Sequence, residues 1–318
     1  MSTVQSDSVG QQAIGLELTP ELQRKRRGQL RLIAERFVRN RVALVGMVVL
    51  LIVVLAAILA PVLTGTTATH IPAIDVHPDN SLAGPSPQHL LGTDEIGRDE
   101  FARLLYGAQV SLLIGLFSMI FSILIGVSVG SLAGFFGGWV DAGFMRITDM
   151  FLAIPLYLIL FVLSASFQSA VAQSVGSVVF VIGLLAFFSW APTARIVRSE
   201  YLSLKEREFL LAARTLGARN GRLILRHILP NAAGPILVSA TLLVGGNIVT
   251  ESTLSFLGFG VQPPQSSWGT MIANSQAYIS IHPMLVFAPG LAILITVLCI
   301  NLMGDGLRDA LDPYMTER

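Results

Sequence analysis

Long apolar runs alternate with short charged stretches along the chain, and the lengths of those runs define its elements. Residues 42–63 carry no charge. That run is long enough for a helix across a bilayer, which needs about 20 mostly apolar residues. No charged residue lies between Leu104 and Val140, and 110–133 is the best placed second span. Residues 150–194 are again free of charge and too long for one helix. The middle of that stretch, SASFQSAVAQSVGS at 164–177, is polar enough for a turn, giving a third span near 151–163 with its flanks and a fourth near 175–194. Residues 231–250 and 283–303 supply a fifth and a sixth. The predicted fold class is all-α: a polytopic membrane protein with six transmembrane helices.

Six spans put both chain ends on one side of the membrane, and Lys and Arg say which side, since they collect in cytoplasmic segments. Arg24, Lys25, Arg26, Arg27, Arg31, Arg36, Arg39 and Arg41 precede the first span. Arg195, Arg198, Lys205, Arg207, Arg214, Arg219, Arg222 and Arg226 lie between the fourth and fifth. These two segments hold 16 of the 21 basic residues. The opposite side has only Arg98 and Arg103 against six acids from Asp75 to Glu100. Both termini are therefore expected in the cytoplasm. The first span is expected to be a retained anchor, because its apolar core exceeds the roughly 7–15 residues of a signal peptide.

Composition agrees with the pattern. Charged residues make up 13 % of the chain and hydrophobic ones 53 %, with mean hydropathy +0.69. Soluble domains carry roughly 25 % charge. The net charge of +1 sums a basic face and an acidic one. The single cysteine, Cys299, excludes an internal disulfide framework and a Cys-rich metal site.

Residues 1–18 are polar and expected to be disordered. Thr19-Pro20-Glu21 resembles a helix start, and Leu30, Ile33 and Phe37 recur at helical spacing in a basic stretch. Either an interfacial helix or a simple positive flank fits. Asp94 is expected to cap a short helix leading through Arg103. In the second span Ser118, Ser122, Gly126, Gly130 and Gly134 recur every fourth residue, a smooth face for close helix packing. The G-x-S-x-G match at 126–130 is rejected as a nucleophile, since it lies within a membrane helix with no partner base. Glu251 is the one carboxylate near a span interior; with Asn247 one turn before it and Ser255 one turn after, it is a candidate for the translocation pathway or its gate. Asp149 and Arg146 read as a surface pair. His70, His77 and His89 share a loop, but no metal site is expected.

The segment 199–231 is the most informative. Ser203 and Glu206 form a capping-box pattern, a helix is expected over 204–216, Gly217 suits a left-handed end, and a second short helix over 219–229 is expected to stop at Pro230. Phe209, Ala212, Ala213 and Leu216 form one apolar side. Such a side must be covered by the membrane surface or by another protein.

Here the sequence resembles a known family. Ala212, Ala213, Gly217, Leu229 and Pro230 match the "EAA loop" of ABC importer permeases, departing at Leu211, where a Glu is usual, and at His227. The runs LGTDEIGRD at 91–99, RLLYGAQVSL at 103–112, ESTLSFLGFGVQPP at 251–264 and NLMGDGLRDALDP at 301–313 are similar to the dipeptide, oligopeptide and nickel permeases. The resemblance implies the type I ABC importer permease fold. It also implies a cytoplasmic tail and interfacial helix at 1–41, a first transmembrane helix at 42–63, an external loop at 64–103, a transport domain at 104–313 containing a coupling loop at 199–231, and a tail at 314–318. Phe209, Leu211, Ala212, Ala213, Leu216, Gly217, Leu229 and Pro230 would then couple to an ATPase. The implied setting is a bacterial inner membrane, with a B-type permease partner, two ABC ATPase subunits, an external solute-binding protein, membrane lipid and a peptide substrate, and with no nucleic acid. Nickel, glutathione or an opine is the alternative cargo. Neither Lys25 nor Lys205 lies in a phosphate-binding loop, so no cofactor is expected on this chain, and ATP with Mg belongs to the ATPase partners. A stand-alone channel, a secondary carrier or an intramembrane enzyme is disfavoured by the lack of charged pairs deep in the spans.

Overall fold

The computed structural model describes residues 29–65 and 70–311. The expected disordered tail, the helix start at Thr19 and the tail at 314–318 lie outside the described residues. Among the described residues every regular element is helical, and the bridge between Thr93 and Asp99 is isolated.

The order is α1 (Gln29–Arg39), α2 (Arg41–Ile58), α3 (Ala60–Leu63), α4 (Glu100–Phe136), α5 (Gly138–Ala153), α6 (Leu156–Val175), α7 (Ser177–Ser189), α8 (Ala191–Leu204), α9 (Glu208–Thr215), α10 (Asn220–Arg222), α11 (Leu229–Asn231), α12 (Ala233–Phe256), α13 (Trp268–Ser275) and α14 (Met284–Leu311). Among the described residues four helices (α2, α4, α12 and α14) are each long and apolar enough to cross a membrane, and the number is six if each of two bent pairs is one span. The pairs are α5 with α6, bent by 81°, and α7 with α8, bent by 42°.

The third span differs from its expectation. The turn expected in 164–177 narrows to its end: α6 runs through most of the stretch to Val175, and Gly176, at φ +87°, separates α6 from α7. Isolated hydroxyls do not break a helix, because they bond back to the preceding turn, as Ser174 does to the Ala170 carbonyl at 3.3 Å. A second break falls before Pro155, whose ring disfavours helical geometry in the preceding residue; Ile154 is extended.

At 37 residues α4 is the longest element, about 55 Å at 1.5 Å per residue. Its N-cap is Asp99, which accepts the Phe101 amide at 3.0 Å, and not Asp94 as the sequence suggested. Asp94 is taken up by two arginines. It accepts from Arg98 Nε and Arg103 Nη1, both at 2.6 Å, and from the amides of Ile96 and Arg98 at 3.1 and 2.8 Å.

The small-residue stripe of α4 faces α7 and α8. Ser118 and Ser122 donate to the carbonyls of Ile182 and Ala186 at 3.4 and 3.2 Å. A Cβ on Gly126, Gly130 or Gly134 would sit 2.9, 2.5 or 2.8 Å from the carbonyl oxygens of Trp190, Ala194 or Arg198. Positions four apart on one span meet positions four apart on the other, and both numbers rise together, so the two spans run parallel at near backbone contact. Parallel packing of the second and fourth spans is what a six-span serpentine requires. Asp141 on α5 braces the same seam through a two-pronged pair with Arg198 at 2.5 and 2.6 Å.

The remaining helices close the bundle. α12 packs between α4 and α14, and α2 lies along α14. Val45, Val48, Leu51 and Ile52 of α2 point outward, as lipid-facing positions do. Asn40 separates α1 from α2 and caps α2 through the Ala43 amide at 3.2 Å. Asp149 pairs with Arg195 at 2.5 Å, correcting the expected Arg146 partner.

Candidate functional site

At the basic end of the bundle, α8 leads directly into the segment singled out from sequence. The expected capping box is not formed. Ser203 lies inside α8, which continues to Leu204, and α9 begins only at Glu208 after an extended Arg207. Packing overrides the local signal here: Val197 and Tyr201 of α8 are fully buried in the core that also holds Phe135 of α4, and Lys205 reaches the Gly134 carbonyl at 3.3 Å.

The far end of α9 follows the sequence. Gly217 takes φ +83°, its amide bonds the Arg214 carbonyl at 3.0 Å and the Ala218 amide bonds Ala213 at 3.1 Å. This is the Schellman arrangement, which needs a residue tolerant of left-handed backbone. Pro230, in contrast, does not stop the next helix. A π-helical stretch, Leu223–Ile228, precedes α11, and the chain passes through Pro230 to Asn231. The wider turn accommodates a proline ring that would strike the carbonyl four residues back in a regular α-helix.

The two faces of α9 differ sharply. Leu210 is 2 % exposed and packs with Tyr201, Leu223, Ile224 and Ile228, with Ala213 beside it. The Tyr201 hydroxyl donates to the Ile224 carbonyl at 3.3 Å and fixes the floor under the helix. Phe209, Leu211, Ala212 and Leu216 face outward, Leu216 with 88 % of its surface exposed. Leu229 is half-buried against the same core and Pro230 is exposed. The structure therefore divides the expected apolar side: Ala213 joins the internal core while Phe209, Ala212 and Leu216 are left uncovered. Leu210, the residue that anchors the loop, was missed because it sits within the unbroken apolar run 209–213, where periodicity cannot choose a side.

The acid singled out in the fifth span lies at the other end. Glu251 is fully buried, and Asn247 and Ser255 are almost so. Glu251 is bonded to serines of its own chain, chiefly Ser255 at 2.6 Å. Asn247 meets Ser189 at 3.3 Å, where α7 bends into α8. None of the three lines an open surface of this chain. Nearby, Arg103 (1 % exposed) joins Asp94 to Ser266, 3.3 Å away. Sequence reading placed Arg103 among the basic residues of that side and at the start of the run 103–112; its near-complete burial could not be read from charge alone. Burial lifts the Asp99 carboxyl above its ordinary range, against the Phe101 amide and His89, which pull it down. Of the loop histidines, His70 bonds Asp75 at 2.6 Å and lies near His77, while His89 stands apart beside Asp99. Among the described residues no group of three or more His, Cys, Asp or Glu is placed to hold a metal.

Among the described residues the chain is all-helical, with four to six apolar crossings and an exposed helix at the basic end of the bundle, the architecture of a membrane transport component. Residues 126–317 match the family of binding-protein-dependent transport system inner membrane components, and residues 28–85 match the N-terminal transmembrane domain of oligopeptide transport permease C. The chain is 40 % identical over 281 residues to the dipeptide transport system permease protein DppC of Alkalihalophilus pseudofirmus, covering 87 % of each. It is 40 % identical to the oligopeptide transport system permease protein OppC of Bacillus subtilis, with 88 % of each covered. It is 41 % identical to the glutathione transport system permease protein GsiD of Pectobacterium atrosepticum, over 74 % of this chain and 76 % of that one. In fold it resembles a chain of the inward-facing MetNI methionine ABC transporter at TM-score 0.54 and 21 % identity, over 66 % of this chain and 96 % of that one. The chain belongs to the binding-protein-dependent transport inner membrane component family, and is an ABC importer permease subunit of the peptide and oligopeptide group with the type I importer fold.

Proposed function

We propose that the chain forms half of the translocation pathway of an ATP-driven importer of di- or oligopeptides, with both termini in the cytoplasm, and that α9 is its contact with the ATPase subunits. The observation that carries this reading is the division of α9 into a buried anchor, Leu210, and an uncovered apolar face of Phe209, Leu211, Ala212 and Leu216. A helix held firmly on one side and left bare on the other transmits force from whatever covers the bare side. The 16 basic residues gathered at that end and beside the first span support its cytoplasmic placement.

In this reading a B-type permease supplies the other half of the pathway, and two ATPases hold ATP and Mg beneath the pair. A solute-binding protein delivers the peptide from outside. ATP-driven approach of the two ATPases pulls the α9 helices together and shifts the permeases between inward-open and outward-open states. Because α8 is locked to α4 along the glycine seam and Leu210 of α9 packs in one core with Tyr201 of α8, movement of α9 reaches the bundle through that core.

Ala212→Glu and Leu216→Glu test the contact. Each should leave the permease folded in the membrane while abolishing ATPase co-purification and peptide uptake. ATPase association and uptake at wild-type levels in both variants would sink the proposal.

A further inference from the structure

Glu251 is fully enclosed by its own chain, and its two oxygens accept from hydroxyls rather than from a cation. Ser255 Oγ donates to Oε1 at 2.6 Å, Ser111 Oγ to Oε2 at 3.3 Å, and Ser252 Oγ lies 3.5 Å from Oε2. The first two hydroxyls are themselves engaged. Ser255 Oγ accepts the Val261 amide at 3.0 Å, and Ser111 Oγ accepts the Trp268 amide at 3.3 Å. An N–H that fills a hydroxyl lone pair leaves the hydroxyl hydrogen free to point onward, here to a carboxyl oxygen. Two relays thus connect backbone amides at the two ends of the 261–268 segment, through serines on α12 and α4, to one carboxyl group. Ser252 has no such onward amide.

The segment 257–268 is pressed onto this site by its backbone. A Cβ on Gly260 would lie 1.9 Å from Ser255 Oγ, and one on Gly269 would lie 2.6 Å from the Ser252 backbone. Its flanks are tied elsewhere: Ser266 to the buried Arg103 at 3.3 Å, the Gln262 amide to Ser177 at 3.2 Å, and the Trp268 indole to the Leu104 carbonyl at 3.1 Å. One carboxylate thus gathers α4, α12 and the connection to α13 at the end of the bundle opposite α9.

We propose that Glu251 is the positioning residue of the outer seal: through Ser255 and Ser111 it holds the 257–268 segment closed over the outer ends of α4 and α12 between delivery events. It acts on the segment and does not touch the substrate. The inference rests on the permease reading and its orientation.

The test uses the assembled importer, permease pair and ATPases together, in nanodiscs. Val261, 2 % exposed in the segment, is replaced by Cys in a Cys299→Ala background, and its labelling by a membrane-impermeant maleimide is timed without nucleotide and after trapping with ATP and vanadate. The parent should label slowly without nucleotide and faster when trapped. Glu251→Gln and Ser255→Ala should label about tenfold faster without nucleotide, the scale of one lost hydrogen bond, and should lose the nucleotide dependence. Ser111→Ala should behave alike, and Ser252→Ala should match the parent. If Glu251→Gln fails to assemble, the Ser255 and Ser111 variants decide. Parent-like rates in Ser255→Ala and Ser111→Ala, or an equal rise in Ser252→Ala, overturn the seal. Absence of ATPases from the purified parent, with no response to vanadate, overturns the permease reading instead.

Discussion

The two ends of the bundle are built in opposite ways. At the basic end the loop is held by carbon packing on Leu210, and its outward residues, Leu216 most of all, are apolar and uncovered. At the other end the charged groups are turned inward. Arg103, Asp94 and Glu251 are almost wholly buried, and their partners come from the same chain. Unpaired burial of such groups is costly, so this end is closed on itself, whereas the first leaves an apolar face uncovered.

The strongest way to break the comparison is to open the closed end. Arg103→Met leaves Asp94 buried with Arg98 as its one remaining cation, and should destabilise the chain by roughly 3–5 kcal/mol; an unchanged melting temperature of the solubilised importer would show that the cluster contributes nothing. Next, two leucines of α9 should behave as opposites. Leu210→Ala should cost about 2–5 kcal/mol as a core truncation. Leu216→Ala should stay within about 0.5 kcal/mol yet weaken ATPase association. Equal melting curves for the two variants would erase the distinction between anchor and face. The seam that links the ends is tested by Gly130→Ala, whose methyl would meet the Ala194 carbonyl at 2.5 Å; overpacking of this kind costs typically about 1–3 kcal/mol, and wild-type stability there would mean that α4 and α8 part easily. The smallest effect belongs to Arg195→Ala. Its pair with Asp149 is half exposed, so denaturation should move by about 0–1 kcal/mol.

Much of the architecture was legible because membrane spans are set by length and absence of charge, both visible in one sequence. The seam was legible for the same kind of reason, since small residues every fourth position from Ser118 to Gly134 have few uses besides close approach. What stayed hidden depended on tertiary choice. The apolar run 209–213 contains both the anchor and the exposed face, and only the neighbouring core of Tyr201 and Ile228 decides that Leu210 turns in. Ser203 has the local chemistry of a cap, but burial of Val197 and Tyr201 carries α8 past it. Asp94 and Asp99 are equally good caps on paper; Asp94 is diverted because two arginines converge on it. Pro230 stops helices in general, and here the π-helical stretch before it removes the clash. The hydroxyl relays to Glu251 join residues 140 positions apart, a distance over which no local pattern speaks.

The most direct test of the central claim is a contact measurement at Leu216. With Leu216→Cys in a Cys299→Ala background, a photoreactive maleimide attached at that position is activated in intact membranes, and the adducts are identified by mass. The account predicts a cross-link between this chain and the ATP-hydrolysing subunit, lost when Ala212→Glu is added. Adducts to lipid alone, with the ATPase demonstrably present and peptide uptake intact, would contradict it.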